Sequence, residues 1–143
     1  MKTIGIACDH AGYQLKEFLK TKLSENYILV DFGTDSENSM DYPDVAHPLA
    51  EAVVTGKVNW GIAICGSGNG INMTLNKHAG IRSALCWNSE LASLARKHND
   101  ANILALPARY ITNALALEML EVFTNTDFEG GRHENRIRKI NLS

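Results

Sequence analysis

The strongest constraint in this sequence is an alternation. Five short, nearly continuous apolar runs, TIGIAC (3–8), YILVDFG (27–33), WGIAIC (60–65), IRSALC (81–86) and NILAL (102–106), are separated by stretches whose apolar residues recur at helical spacing. Leu15, Phe18, Leu19 and Leu23 mark a first helix, and Val45, Leu49, Ala52 and Val53 a second that Gly56 stops. A short helix begins at about Ile71, and Leu91, Leu94 and Ala95 mark the next. Leu115, Leu120 and Phe123 follow the last run behind Thr112 as N-cap. A strand that is apolar along its whole length is buried on both faces, which an antiparallel sheet with one wet face does not require. The pattern therefore predicts a three-layer α/β/α sandwich, Rossmann-like, around a five-stranded parallel sheet. Pro48 is expected to shift the start of its helix or kink its first turn. The polar stretch DFEGGRHENRIRK reads as a turn plus a C-terminal basic helix that packs away from the main core.

Composition narrows the function classes. With 143 residues, 45% hydrophobic and 21% charged, residues 1–143 read as one globular domain with a core of its own. A net charge of -2 gives no reason to expect nucleic acid or an anionic membrane as a partner. The opening MKTIGIACDH has too short an apolar run for a signal peptide, and no run approaches the ~18 residues of a membrane span, so the expected location is cytoplasmic. Cys8, Cys65 and Cys86 are odd in number and lack zinc-finger spacing, so neither a disulfide framework nor a structural zinc site is indicated.

In an open parallel sheet, ligands bind beyond the C-terminal ends of the strands. Asp9 and His10 follow the first run and Cys65 to Gly70 the third, so both loops face one crevice. Gly66, Gly68 and Gly70 permit positive φ and close backbone approach, so successive N–H groups can point at an anion. The loop matches neither the dinucleotide fingerprint nor the P-loop and lacks the P-loop lysine. The plain alternative is a tight turn that needs glycine. Cys65, at the crevice mouth, suits a thiolate that acts as base or nucleophile, although cysteine is also a common buried residue. Cys8 and Cys86 read as structural. Asp9 reads equally as a helix N-cap. Arg132, Arg136 and Lys139 fall at i, i+4 and i+7, where guanidinium forks can clamp a phosphate or simply form a solvated face. Arg109 lies at the crevice edge. His98, by contrast, precedes the strand NILAL, which puts it a strand length, ~16 Å, from Cys65 in the same chain.

The motifs CDHAG, DYPD, CGSGNGI, NKHAGIR, ARKHNDANILAL and FEGGRHENRIRKI, in this order and spanning the chain, resemble those of the ribose-5-phosphate isomerase B family, which also contains galactose-6-phosphate and allose-6-phosphate isomerases. The resemblance implies strand order 2-1-3-5-4, no metal or organic cofactor, a place in the pentose phosphate pathway, and a homodimer with shared active sites, assembly into a dimer of dimers being open. Shared sites would reconcile His98 with Cys65. Carried over by motif, Cys65 is the base, and His98 with Asp9 opens the sugar ring. Ser67 supplies a hydroxyl near O1 or O2, and the loop Gly66, Gly68, Asn69 and Gly70 binds the enediolate. His10, Arg109, Arg132 and Arg136 take the phosphate, Asn99 contacts sugar or loop, and Tyr42 walls the pocket. Some members use a glutamate further along the loop; this chain has Asn72 in that region, which leaves Cys65 as the base. The implied reaction interconverts ribose 5-phosphate and ribulose 5-phosphate. A six-carbon phosphosugar substrate and a non-catalytic phosphosugar-binding module are the alternatives.

Overall fold

Each predicted run becomes a strand of one sheet in the computed structural model, which describes residues 1–142. The elements are β1 (Thr3–Cys8), a 3-10 turn (His10–Gly12), α1 (Tyr13–Leu23), β2 (Ile28–Asp31), α2 (Pro43–Val54), β3 (Trp60–Cys65) and α3 (Asn69–Leu75), then β4 (Ser83–Leu85), α4 (Ser89–Asn99), β5 (Ile103–Pro107), α5 (Asn113–Thr124) and α6 (Arg132–Arg138). The strands pair in parallel in the order β2-β1-β3-β5-β4, as the resemblance implies. The register sets Ala7 beside Ala63 and Cys65 beside Pro107. The chain moves outward from β1 to β2 on one side and to β3 on the other, so the switch in direction falls between β1 and β3. That is where an open α/β sheet leaves a crevice.

Strand alternation sorts the core into two layers. Ile4, Ile6, Cys8, Ile62, Ile64, Leu104 and Leu106 pack with Leu15 and Leu19 of α1, Ala92 and Ala95 of α4, and Met119, Leu120 and Phe123 of α5. Ala7, Ala63, Cys65 and Ile103 face the other way, against Val45, Ala46, Leu49 and Ala50 of α2 and Ile71 and Leu75 of α3. The Cys65 side chain thus lies on the α2/α3 face.

The Thr112 cap is where the sequence places it, and a second cap, at Asn88, joins it. Thr112 accepts from the N–H of Leu115 at 3.1 Å, and Asn88 accepts from that of Leu91 at 2.9 Å. Pro48 does not set the start of its helix: α2 begins at Pro43, a position that suits proline, and runs through Pro48. The short helix starts at Asn69, two residues before the expected position, since Gly68, at φ 79°, adopts the left-handed conformation that turns the chain into it. Helix α6 is more tightly held than its polar sequence suggests. His133 is buried, and the Glu129 N–H just before it donates to the Lys97 carbonyl of α4 at 3.1 Å.

One buried cation reaches out to a carboxylate at the surface. Lys16 is 1% exposed and its Nζ lies 2.8 Å from both Asp31 carboxylate oxygens and 2.6 Å from the Thr34 carbonyl. Lys20 reaches Asp31 from the solvent side at 2.8 Å. Burial pushes the Asp31 carboxyl upward, but the hydrogen bonds from Lys16 and Lys20 outweigh it and hold the group below its ordinary range. Among the described residues, no helix is long and apolar enough to cross a membrane.

Candidate active site

The crevice at the β1/β3 switch point is built from two loops and one helix start. Asp9, 7% exposed, follows β1; its N–H donates to the Ile64 carbonyl at 3.0 Å, which ties the loop to β3. Its Oδ1 accepts from the N–H groups of Ala11 and Gly12 at 3.0 and 3.2 Å. The capping reading of Asp9 is therefore correct, and because these bonds use only Oδ1, it coexists with a role in the crevice. His10 accepts the Met40 N–H at Nδ1 over 3.3 Å, which leaves its proton on Nε2 when the ring is neutral. Asp9, His10, Tyr42 and Arg109 line one cleft of about 600 Å³, together with Asp41 and Asp44.

The glycine loop abuts this cleft behind Tyr42 and Arg109. Ser67 Oγ accepts the Asn69 N–H at 3.3 Å, while the N–H groups of Ser67, Gly68 and Gly70 have no acceptor among the described residues. Helix α3 is only seven residues long, so these free donors matter more than its dipole. Two cleft residues rest directly on the loop. A Cβ on Gly70 would sit 2.4 Å from Tyr42 Cζ, and one on Gly66 would sit 3.0 Å from Arg109 Nη1. Glycine is required at position 70 for the tyrosine to close on the backbone. Cys65 is buried at the root of this loop, 4% exposed. The other two thiols are out of use near neutrality. Burial pushes Cys8 up to about 11, against the opposing pull of Lys16, and burial alone pushes Cys86 up to about 12. Their structural reading holds.

A second group of predicted residues lies elsewhere in the same chain. Helix α4 ends in the turn that enters β5. Asp100, at φ 46°, is held there by Arg96 Nη1 at 2.8 Å on its carboxylate and Arg82 Nη2 at 2.9 Å on its carbonyl. His98 and Asn99 therefore sit where β5 begins, whereas Cys65 is level with its last residue, Pro107. Arg132 and Arg136 are exposed on α6, beside this end of α4, and make no ion pair among the described residues. Lys139 is only the C-cap of that helix. The structure thus brings Asp9, His10, Tyr42, Cys65, Gly66, Ser67, Gly68, Asn69, Gly70 and Arg109 together, and separately His98, Asn99, Arg132 and Arg136.

Sequence reasoning missed two residues of the second group. His133 stacks on His98 with ring centroids 4.3 Å apart, and Glu129 approaches both rings, Oε1 lying 3.7 Å from His98 Nε2 and 3.6 Å from His133 Nε2. Burial, then the charges of His98 and Arg132, hold His133 below the ordinary imidazole range, with Glu129 opposing. A histidine between two candidate phosphate-binding arginines was the available signal. Donor atoms of His98, Glu129 and His133 all lie within 4.8 Å of one another, the one grouping of this kind among the described residues.

A parallel α/β sandwich that gathers free N–H groups, cationic side chains and a buried thiol beside its switch-point crevice is a protein for binding and transforming small anions. Residues 4–140 match the family described as ribose/galactose isomerase, and the chain belongs to that family. The protein is accordingly an isomerase. It is 41% identical to ribose-5-phosphate isomerase B of Escherichia coli (strain K12) over 141 residues, 98% of this chain and 95% of that one. Among solved structures, a ribose 5-phosphate isomerase of Thermotoga maritima superposes with a TM-score of 0.97 at 45% identity, covering 99% of each chain. Ribose-5-phosphate isomerase B of Mycoplasma genitalium, solved with bound ribulose-5-phosphate, superposes with a TM-score of 0.91 at 38% identity, covering 96% of this chain and 93% of that one.

Proposed function

We propose that this protein interconverts ribose 5-phosphate and ribulose 5-phosphate through an enediolate, with Cys65 as the base, in active sites shared between two copies of the chain. The observation that carries this reading is a buried thiol at the root of a loop whose N–H groups lack partners. Removing a proton from carbon beside an aldehyde places negative charge on the carbonyl oxygen. Preorganised donors lower that barrier, and losing one typically costs about 3 to 4 kcal/mol.

The Cys65 thiolate takes the proton from C2, and the C–H electrons form the C1–C2 double bond as charge moves to O1. A proton passes from O2 to O1, with the Ser67 hydroxyl as the adjacent carrier. The thiol then returns its proton to C1 and the carbonyl forms at C2, so the base is regenerated. Arg109 and His10 take the phosphate from one side, and Arg132 and Arg136 of the partner subunit from the other. Binding at this remote end aligns the reacting carbons. His98 of the partner subunit, with Asp9, moves the protons that open the furanose, and Asn99 of the partner subunit contacts sugar or loop.

Sharing is supported by the two half-sites within one chain and by an uncovered apolar patch beside the glycine loop. Trp87 is 56% and Tyr110 76% exposed, and both line a cleft with Ser67 and Asn69. The three free thiols suit a reducing, cytoplasmic setting. The test is isomerisation of ribose 5-phosphate by purified protein without added metal, beside allose 6-phosphate and galactose 6-phosphate. Turnover of a six-carbon substrate alone would reassign the substrate, and no turnover of any by folded dimers would remove the reading.

A further inference from the structure

The segment FEGGRH is held in a way that the proposed isomerisation does not need. The Glu129 N–H is bonded to Lys97, Gly130 and Gly131 follow at φ 71° and 60°, and His133 enters the first turn of α6 with its ring against His98. Two imidazoles and one carboxylate are thereby gathered at the end of α4, their donor atoms within 4.8 Å of one another. This is a donor set that suits zinc, with a fourth position open. A tetrahedral zinc with bonds of 2.0 to 2.1 Å needs neighbouring donors about 3.3 Å apart. The carboxylate oxygen already stands 3.6 and 3.7 Å from the two nitrogens; the two rings are stacked at 14°, so binding requires the 40% exposed His98 ring to turn its Nε2 lone pair toward the ion, and Glu129, 52% exposed, is likewise free to shift. The C-terminus of α4 also favours a cation, whereas Arg132 and Arg136 on α6 oppose one and make this a weaker site than a structural zinc centre.

We propose that His98, Glu129 and His133 form a binding site for a divalent metal of the zinc class, and that its occupation inhibits the isomerase by capturing the His98 lone pair. The inhibitory half rests on the reading of His98 as the ring-opening group; the binding half does not. A metal-bound Nε2 has no lone pair left to accept a proton from the sugar, so the enzyme would be switched off while its fold and Cys65 stay intact.

The experiment titrates zinc chloride into tag-free dimer, stripped of metal by a chelator, with calorimetry for stoichiometry and the visible spectrum of a cobalt(II) derivative for coordination. One metal per chain is expected. Affinity should fall about tenfold or more in Glu129→Gln and in His133→Gln, and be retained in Cys65→Ala and in His47→Gln. The last variant controls for the surface pair His47 and His78, whose ring nitrogens lie 2.6 Å apart. Absence of binding, or affinity unchanged in both Glu129→Gln and His133→Gln, overturns the site. Loss in Cys65→Ala instead moves the metal to the thiol and overturns it as well. In parallel, zinc inhibition is measured against each variant's own metal-free rate, and the inhibition constant should rise about tenfold in Glu129→Gln. Binding as expected without inhibition refutes the inhibitory half and counts against His98 in ring opening, leaving the metal site standing.

Discussion

Mixing two inactive variants should restore activity, by an amount set by the fold. Cys65 is level with Pro107, and Gly61, four residues earlier on β3, is level with Ile103. Four strand steps of about 3.3 Å separate these ends by about 13 Å, and His98 lies further back, in the last turn of α4. In a furanose, C1 is bonded to both C2 and the ring oxygen, so a base at C2 and a proton carrier at the ring oxygen must both come within hydrogen-bond reach, about 3 Å, of atoms two bonds apart. One chain does not span this. If Cys65→Ala and His98→Ala proteins are unfolded, mixed equally and refolded, random pairing makes about half the dimers mixed. Each mixed dimer has one site carrying both lesions and one carrying neither, so activity should recover to about a quarter of the parental value. The assay is ribose 5-phosphate turnover on dimers whose mixed composition is verified by mass spectrometry. Were His98 to serve its own chain, every site in a mixed dimer would keep one lesion. Turnover no higher than the separate variants would then refute the shared site.

Cys65→Ala should lower kcat by about 10²- to 10⁴-fold, the usual worth of a positioned base, with substrate affinity retained by calorimetry; near-parental kcat in a folded variant would reject the thiol base. Arg136→Ala should raise KM by roughly tenfold or more, since a charged hydrogen bond is worth about 1.5 to 3 kcal/mol, and weaken inhibition by inorganic phosphate; unchanged values for both return it to a solvated face. Lys16→Met should cost about 1.5 to 3 kcal/mol in urea unfolding at pH 7, the worth of hydrogen bonds to charged groups, because the Asp31 left behind is partly exposed and keeps Lys20. The Asp31 carboxyl is lowered on folding, so the pair's contribution is full above the unfolded value of about 3.9 and drains away as pH falls through the folded one; the gap between parent and variant should narrow in acid, and a gap independent of pH would reject the assignment.

The sequence by itself determined the layers and the crevice. Apolar runs without alternation predict strands covered on both faces, which holds for β1, β3 and β5 while the edge strand β2 stays partly exposed, and Asp9-His10 and Cys65 to Gly70, each just past a run, are brought to one end of the sheet. Element boundaries were less legible where backbone geometry outweighed periodicity. Gly68 turns the chain into α3 before the first apolar position at Ile71, and α2 begins at Pro43, five residues before Pro48, so Pro48 lies inside the helix and not at its start. What only the tertiary structure decided depends on long-range placement. Tyr42 and Arg109 lie 28 and 43 residues from the glycines they cover, Gly70 and Gly66 carrying at most a hint of close approach; the distances of a Cβ from their atoms are what identify those partners. An intact helical face at Arg132 and Arg136 is equally readable as solvated, and its stacked neighbours His98 and His133 emerge only once Glu129 is tied to Lys97. Periodicity reports which face of an element is buried, because burial is a property each residue carries locally. Which side chains converge depends on crossovers and loop hydrogen bonds that join distant parts of the chain, and no local pattern encodes them.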